Sequence, residues 1–323
     1  MSRNGLSLKG LTNLKTFFPS IIASVALLII GQILSPGFAD ISNIGNLLTV
    51  ASILAIATIG QALIITSGGE GIDMSLGAIM SMGALIGPMI SKGQSGRIIL
   101  MIAALVLIGG IIGFINGFGS QIIKIPPLVM TLIMASVVNG LTLGYTNGQP
   151  SVTIPPALLG VGKRVFGPVR VLLIIAILAI VLMELVLRKT KFGKLVYLVG
   201  SNRNAAKLAG TNVNIVAIAS YVLGGIIAAL AGMFLVGYAG SGQLQMANDY
   251  TLLSIAAVVI GGTKLTGGKG TLVGGALGAI VLVLLTSILV AIGMPAGVRS
   301  LIQGIILLVI LVILYIKAPK LRQ

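Results

Sequence analysis

Long apolar stretches separated by short polar loops run along almost the whole chain of 323 residues. A helix needs about 20 apolar residues to cross the hydrocarbon core of a membrane. Ten stretches approach this length, at 17–34, 44–66, 72–90, 98–118, 127–143, 169–187, 215–236, 250–262, 271–292 and 298–316. The eighth is short and runs into Gly261 and Gly262, which favours a half-helix or an irregular span. The pattern predicts an all-α polytopic membrane protein with about ten transmembrane helices, forming one membrane domain over 1–323.

The basic residues predict how these helices cross the membrane. With ten spans, fifteen of the 21 Lys and Arg residues lie on the side of the N-terminus and six on the other side. Since Lys and Arg accumulate in cytoplasmic loops, both termini are predicted to be cytoplasmic. The first apolar stretch is about 18 residues long and many more follow, so we expect an uncleaved helix and not a signal peptide.

Composition excludes several classes of protein. The sequence is 57% hydrophobic with a mean hydropathy of +1.15, which a soluble domain could not bury. It has no Cys and no His and only five acidic residues, so disulfides, most metal sites and acid–base catalysis have few candidates. The net charge of +16 comes mostly from residues flanking the spans, which argues against nucleic-acid binding.

The polar segment 188–213 divides two blocks of apolar stretches and carries six basic residues. Within it, 200–214 reads as a short amphipathic helix. Its apolar positions are Ala205, Ala206, Leu208 and Ala209, and its polar positions are Arg203, Asn204 and Lys207. Such a helix fits a groove on a cytoplasmic partner. Alternatively, it lies at the membrane surface and is stabilised by anionic membrane lipid.

Polar residues within or beside the predicted spans are the other candidates. Asp73 and Ser75 lie in a Gly-rich turn at a helix start, where a carboxylate can cap backbone N–H groups or take part in coupling. Glu184 is followed at i+4 by Arg188, which predicts an ion pair. Four further residues predicted inside spans either hydrogen-bond between helices or line a solute pathway: Gln61, Asn116, Thr131 and Asn139.

A weak internal echo links two Gly-rich turns. SGGEGIDMSLGAIMSMGALIG (67–87) and LTGGKGTLVGGALGAI (265–280) each follow an apolar span and precede a helix start rich in small residues. The echo indicates either a structural repeat, which is common in transporters, or two helices with similar packing needs.

Four motifs together resemble the permease subunits of bacterial ABC importers for ribose and related monosaccharides, a branch shared with the branched-chain amino acid permeases. The basic segment is similar to that branch's G-x-N-x-x-A-A-x-x-x-G pattern, and GIDMSLG (71–77) is similar to its GIDLSVG. The other two are IAAVVIGGTKLTGGKGTLVGGALGA (255–279) and INGFGSQIIKIPPLVMTL (115–132), after which TNGQP (146–150) fits the following loop. The matches span most of the chain.

The resemblance implies a bacterial cytoplasmic (inner) membrane protein that works with three kinds of partner. These are an ABC ATPase subunit, a second permease subunit in a homodimer or heterodimer, and a periplasmic or lipid-anchored solute-binding protein. The segment 188–213 would be the coupling segment, and its ATPase-coupling residues would be Gly200, Asn202, Arg203, Asn204, Ala205, Ala206, Lys207, Leu208, Ala209 and Gly210. Gly71, Asp73, Ser75 and Gly77 would form a gating or helix-start motif.

The sequence also has no Walker A motif, so no nucleotide cofactor is expected on this chain and ATP would be used by the partner subunit. The interpretation is therefore a transport subunit and not an enzyme. The alternative is a secondary transporter or channel without an ATPase, for which few acids are available to couple protons. A membrane-embedded enzyme would lack a catalytic set of residues.

Three departures from the family pattern affect the substrate and the dimer. Glu70 and Gly71 lengthen the first Gly-rich turn, Thr251 and Leu253 stand where acids are frequent, and Asn139 stands where Arg is frequent. These changes favour one half of a heterodimer with unequal subunits, and they leave the solute open.

Overall fold

The computed structural model describes residues 14–149 and 152–317. These residues form thirteen α-helices: α1 (Leu14–Leu34), α2 (Ile41–Thr66), α3 (Leu76–Ser91), α4 (Ile98–Gln121), α5 (Pro127–Tyr145), α6 (Pro156–Leu159), α7 (Val171–Lys189), α8 (Lys191–Ser201), α9 (Arg203–Leu208), α10 (Val213–Ala239), α11 (Tyr250–Ile260), α12 (Leu272–Ala291) and α13 (Ala296–Lys317). Short 3₁₀ helices lie at Ser95–Arg97 and Gly160–Gly162.

Seven of the described helices are long and apolar enough to cross a membrane, namely α1, α2, α4, α5, α7, α10 and α12. Three further apolar helices are shorter over their described residues, namely α3, α11 and α13. The prediction of a helical, multi-pass membrane protein is confirmed. The eighth predicted stretch is indeed a short helix, because α11 has only 11 residues and ends at Ile260, directly before Gly261.

Helices α2 and α10 form the centre of the helix assembly. The apolar window of α2 is 89% buried, whereas that of α1 is only 11% buried. Helix α10 packs against α4, α3 and α2, and α12 packs against α2, α11 and α1. The outer helices therefore present apolar surface to lipid or to another subunit.

Glycines allow α10 to approach its neighbours closely. A Cβ on Gly225 would overlap the backbone carbonyl of Gly109 on α4, and a Cβ on Gly232 would overlap that of Met80 on α3. Small residues at such contacts are typical of helices packed within membranes. The high glycine content is thus explained in part by contacts between backbones.

A small hairpin departs from the all-helical prediction. Strands β1 (Arg164–Phe166) and β2 (Val169–Arg170) pair antiparallel, so α7 begins at Val171 and not at 169. The Arg170 guanidinium contacts Asn46 Oδ1 near the start of α2 and donates to Gly162 O at 3.0 Å. It also lies 5.7 Å from the ring centroid of Tyr238 near the end of α10. These contacts place the hairpin at the end of the molecule opposite to α8 and α9.

The predicted positions of both termini cannot be compared with the structure over residues 1–13 and 318–323, which lie outside the described residues. The same holds for Pro150 of the TNGQP motif.

Candidate functional site

The predicted coupling segment, 188–213, contains two short helices where the sequence predicted one. Thr190 caps α8, since its Oγ1 accepts a hydrogen bond from Gly193 N at 3.2 Å. Asn202 leaves the helical conformation and caps α9, accepting a hydrogen bond from Ala205 N at 3.0 Å. Asn212 then caps α10 by accepting from Ile215 N at 3.2 Å. Each break occurs at a side chain that competes for backbone N–H groups, as Thr and Asn do.

Helix α9 does not have the single apolar face that the sequence indicated. Ala206 is completely buried, whereas Leu208 is 91% exposed and Ala205 and Ala209 are also exposed. Ala206 therefore lies apart from the other three apolar residues, whereas Ala205, Leu208 and Ala209, spaced i, i+3 and i+4, share the exposed side. The inward-facing positions are Arg203 and Ala206, which are three residues apart and so lie on the same side of the helix. Leu208 remains as an exposed apolar side chain on the outer surface.

The C-terminal end of α8 packs into what we call the glycine junction, formed by Gly68, Gly200, Gly267 and Gly268. A Cβ on Gly200 would overlap Thr66 O at the end of α2, and Gly268 N donates to the same oxygen at 2.9 Å. Gly68, Gly267 and Gly268 have φ values of 74°, 88° and 70°, which glycine adopts without strain. The two Gly-rich turns of the sequence echo thus meet directly against the coupling segment.

Arg203 extends from α9 towards the interior. Its Nη1 donates to Gln121 Oε1 at 2.9 Å, at the last residue of α4, and its Nη2 donates to Gly68 O at 3.2 Å. A Cβ on Gly69 would overlap the guanidinium, so this glycine leaves room for it. Burial lowers the pKa of Arg203, although an arginine stays protonated in proteins. One side chain therefore joins three segments.

The turn from Gly68 to Ser75 runs back along α2 and brings Asp73 beside Gln61 in the interior. Asp73 is buried, and its Oδ1 accepts from Ser75 N at 2.8 Å and from Ser75 Oγ at 2.5 Å. The Ser75 hydroxyl in turn accepts from Asn116 Nδ2 of α4 at 2.9 Å. The carboxylate thus satisfies a backbone N–H just before α3 begins, which is the kind of contact that the sequence indicated.

Two more of the predicted residues hold the same turn. The hydrogen-bond network assigns the Gln61 amide so that its oxygen accepts from Asp73 N at 3.2 Å and its nitrogen donates to Asp73 O at 3.3 Å. Thr131 Oγ1 of α5 accepts from Met74 N at 3.0 Å. We call Gln61, Asp73, Ser75, Asn116 and Thr131 the polar cluster.

Asn139 is not part of the polar cluster. It lies eight residues beyond Thr131 on α5, which corresponds to roughly 12 Å along a helix, and it is half-buried. Gly77, by contrast, adjoins the cluster, because its N–H donates to Thr251 Oγ1 of α11 at 2.9 Å. Gly71 is buried within the turn itself.

The polar cluster retains unused hydrogen-bonding capacity. Among the described residues, five buried side-chain oxygens have no hydrogen-bond partner, and two of them, Asp73 Oδ2 and Asn116 Oδ1, belong to the polar cluster. Buried polar atoms normally find a partner, and water fills this role where space permits.

The predicted ion pair between Glu184 and Arg188 is confirmed, with Arg188 Nε 2.5 Å from Glu184 Oε1. The second carboxylate oxygen does something that the sequence did not indicate. It accepts a hydrogen bond from Leu272 N at 2.7 Å, at the first residue of α12. Tyr197 of α8 donates a hydrogen bond to Gly270 O at 2.9 Å, in the loop that leads into α12.

Sequence reasoning missed Gln121, Thr251 and Tyr197, each of which fastens one segment to another. Gln121 and Thr251 are polar residues at the end or the beginning of apolar helices. A polar residue at the end of an apolar helix can therefore be used to predict such a contact, because its side chain reaches the adjoining loop.

The model of a family described as the permease component of branched-chain amino acid transport systems matches residues 43–311. The chain belongs to this permease family.

Among curated relatives, the permease is 34% identical over 296 residues to the ribose import permease protein RbsC of Escherichia coli (strain K12), covering 90% of each chain. It is 34% identical over 286 residues to RbsC of Bacillus subtilis (strain 168), covering 88% of each chain. It is 31% identical over 294 residues to the autoinducer 2 import system permease protein LsrC of Salmonella paratyphi B, covering 91% of this chain and 84% of that protein. No solved structure matches the permease.

These matches decide between the alternatives that the sequence left open. The permease is the membrane component of an ABC importer and not a secondary transporter, and it belongs to a family of transport subunits and not of enzymes. It is a multi-pass membrane protein with bacterial relatives.

Proposed function

We propose that the permease forms the membrane pathway of an ABC importer that takes up a monosaccharide or a similar small polar solute. Ribose is the first substrate to test, because the RbsC relatives, named as ribose import permeases, align with about nine-tenths of this chain. LsrC, named for autoinducer 2 import, widens the class to related polar solutes.

The proposed arrangement places the chain in the bacterial cytoplasmic membrane with ten spans and with both termini in the cytoplasm. Seven long helices and three shorter apolar helices would supply the spans. A second permease subunit, identical or different, would complete the pathway and cover part of the apolar surface. The permease itself would bind no cofactor, and ATP would be used by the ATPase subunit.

The exposed surface of α9 is the observation that carries the mechanism. Leu208 and its neighbours form a small outward surface on a helix whose inner side is fixed by Ala206 and by the hydrogen bonds of Arg203. The ATPase subunit would bind this surface at 200–210. When ATP closes the ATPase pair, α9 would move and change the helix arrangement, giving alternating access. A solute-binding protein would deliver the solute at the opposite end, where the β1–β2 hairpin lies.

For the candidate pathway residues we propose two different roles. Gln61, Asn116 and Thr131 use their hydrogen bonds on the turn at Asp73, so we assign them to holding this turn with Gly71 and Gly77 beside it. Asn139 lies outside the polar cluster and remains a candidate for contact with the solute, since amides suit sugar hydroxyls.

Uptake of radiolabelled ribose tests this function in cells that lack their own ribose permease and express this permease with its ATPase and binding protein. We expect uptake above the background of the empty strain, and at least a tenfold loss with Leu208→Glu. The matched control is Lys194→Glu, which also adds an acid to an exposed position but on α8. Wild-type uptake by Leu208→Glu would contradict the docking surface. Uptake of another sugar in place of ribose would correct the substrate alone.

A further inference from the structure

The link between α9 and the interior is concentrated in one side chain. Arg203 begins α9, and its guanidinium donates both to Gly68 O, at 3.2 Å, and to Gln121 Oε1, at 2.9 Å. Both acceptors are neutral amide oxygens. The planar guanidinium can hold two acceptors in a fixed geometry, which a lysine ammonium does not reproduce.

Both acceptors lead to the polar cluster by separate routes. Gly68 opens the turn that carries Asp73, and Gln121 ends the helix that carries Asn116. These two routes meet again at Ser75, whose hydroxyl donates to Asp73 Oδ1 and accepts from Asn116 Nδ2. A displacement of Arg203 would therefore act on both sides of the same buried hydrogen-bond network.

The surroundings of Arg203 favour a rigid connection. Gly69 adopts a φ of 69° and leaves no Cβ in the way of the guanidinium. Neighbouring Glu70 also has a positive φ of 58°, which non-glycine residues seldom adopt. Packed elements with fixed contacts transmit small displacements because interiors have low compressibility.

We propose that Arg203 is a positioning residue that transmits movement of α9 to the Gly68–Ser75 turn, and so couples ATPase docking to the buried polar cluster. This inference rests on the proposed function, because it requires that the ATPase binds at 200–210. It assigns Arg203 to transmission inside the permease and not to contact with the ATPase.

The test uses the complete complex of permease and ATPase in proteoliposomes, with a spin label at Glu70→Cys as the reporter on the turn. The sequence has no cysteine, so the label attaches at one position per permease chain. We expect ATP with vanadate to change the label's spectrum in the parent complex. In Arg203→Ala the ATPase should still copurify and hydrolyse ATP, while the spectral response falls at least fivefold. Arg203→Lys, which keeps the charge, should give an intermediate response.

Two further variants keep the inference falsifiable if Arg203→Ala does not fold. Gln121→Ala removes one acceptor and should reduce the response about twofold, whereas Gln121→Glu keeps an acceptor and should preserve it. Lys264→Ala removes an exposed positive charge outside the segment 188–213 and is the matched control.

The possible outcomes separate this inference from the proposed function. A full spectral response in Arg203→Ala would overturn the transmission role. Loss of the ATPase from Arg203→Ala, with the permease still folded, would also overturn it and make Arg203 a docking residue. If the parent complex itself binds no ATPase, the proposed function fails and not this inference alone.

Discussion

Glu184 offers a prediction whose magnitude follows from the structure. Its buried carboxylate accepts hydrogen bonds from Arg188 on one oxygen and from Leu272 N, at the start of α12, on the other. A hydrogen bond to a charged group contributes about 1.5–3 kcal/mol to stability. Because the Arg188 side chain is 27% exposed, solvent weakens that half of the arrangement. Glu184→Ala should therefore lower the free energy of unfolding by about 3–4 kcal/mol.

Glu184→Gln separates the two contributions. The amide oxygen can still accept from Leu272 N, whereas the charge is lost, so we expect a smaller cost of about 1–2 kcal/mol. For a chain of this size, 1 kcal/mol corresponds to roughly 2 °C in melting temperature. The expected decreases are thus roughly 6–8 °C for Glu184→Ala and roughly 2–4 °C for Glu184→Gln.

These shifts in melting temperature can be measured without Trp or Cys. The protein carries a fluorescent fusion, is solubilised in detergent and heated, and the fraction that stays folded is read by size-exclusion chromatography. Leu185→Ala is the matched control, since this neighbouring side chain on α7 is 49% exposed and should change the melting temperature by less than about 2 °C. Two results would contradict this account of how the carboxylate holds α12. One is a Glu184→Ala melting temperature equal to that of the control, and the other is the same melting temperature for both Glu184 variants.

Three further predictions concern α9, α8 and the packing of α10. Ala206→Glu places a charge in the interior and should abolish folded protein. Leu208→Glu should instead leave a folded permease that no longer binds the ATPase. Gel filtration shows whether each variant is folded, and a pull-down then shows whether it binds the ATPase. Burial raises the pKa of Tyr197 from 10.0 to about 12, so its contribution to stability is complete below about pH 10 and declines as the pH rises towards 12. Tyr197→Phe should lose less melting temperature than the parent between about pH 10 and 12, and an equal loss would refute the assignment. Gly225→Leu should prevent folding because its side chain would meet the carbonyl of Gly109, whereas Gly140→Leu on the outside of α5 should be tolerated; equal yields in chromatography would contradict the close helix contact.

Features set by local sequence were predictable. Helices long enough to span a membrane follow from continuous apolar stretches, and the pair of Glu184 and Arg188 follows from i,i+4 spacing on one helix face. The short α11 was also visible, because two consecutive glycines end it.

Features set by the packing of distant segments were not predictable. Ala206 is buried and Leu208 is exposed because two positions along a helix differ by about 200° in direction, and which of them faces inward depends on how α9 packs after Asn202 breaks the helix. The meeting of Gln61, Asn116 and Thr131 around Asp73 brings together four separate parts of the chain. Each residue could be predicted as polar and intramembrane, but their meeting at one turn, through bonds to Asp73, Ser75 and Met74, depends on how α2, α4 and α5 pack.

The central claim, that this chain works with an ABC ATPase, is tested most directly by purification. The tagged permease is isolated from its native membrane in mild detergent, and the copurifying proteins are identified by mass spectrometry. We expect a stoichiometric ABC ATPase, which is lost in Leu208→Glu and retained in Lys194→Glu. A second permease chain in the same sample would identify a heterodimer, and its absence a homodimer. A stable complex of this permease alone, without an ATPase in the wild type, would contradict the account.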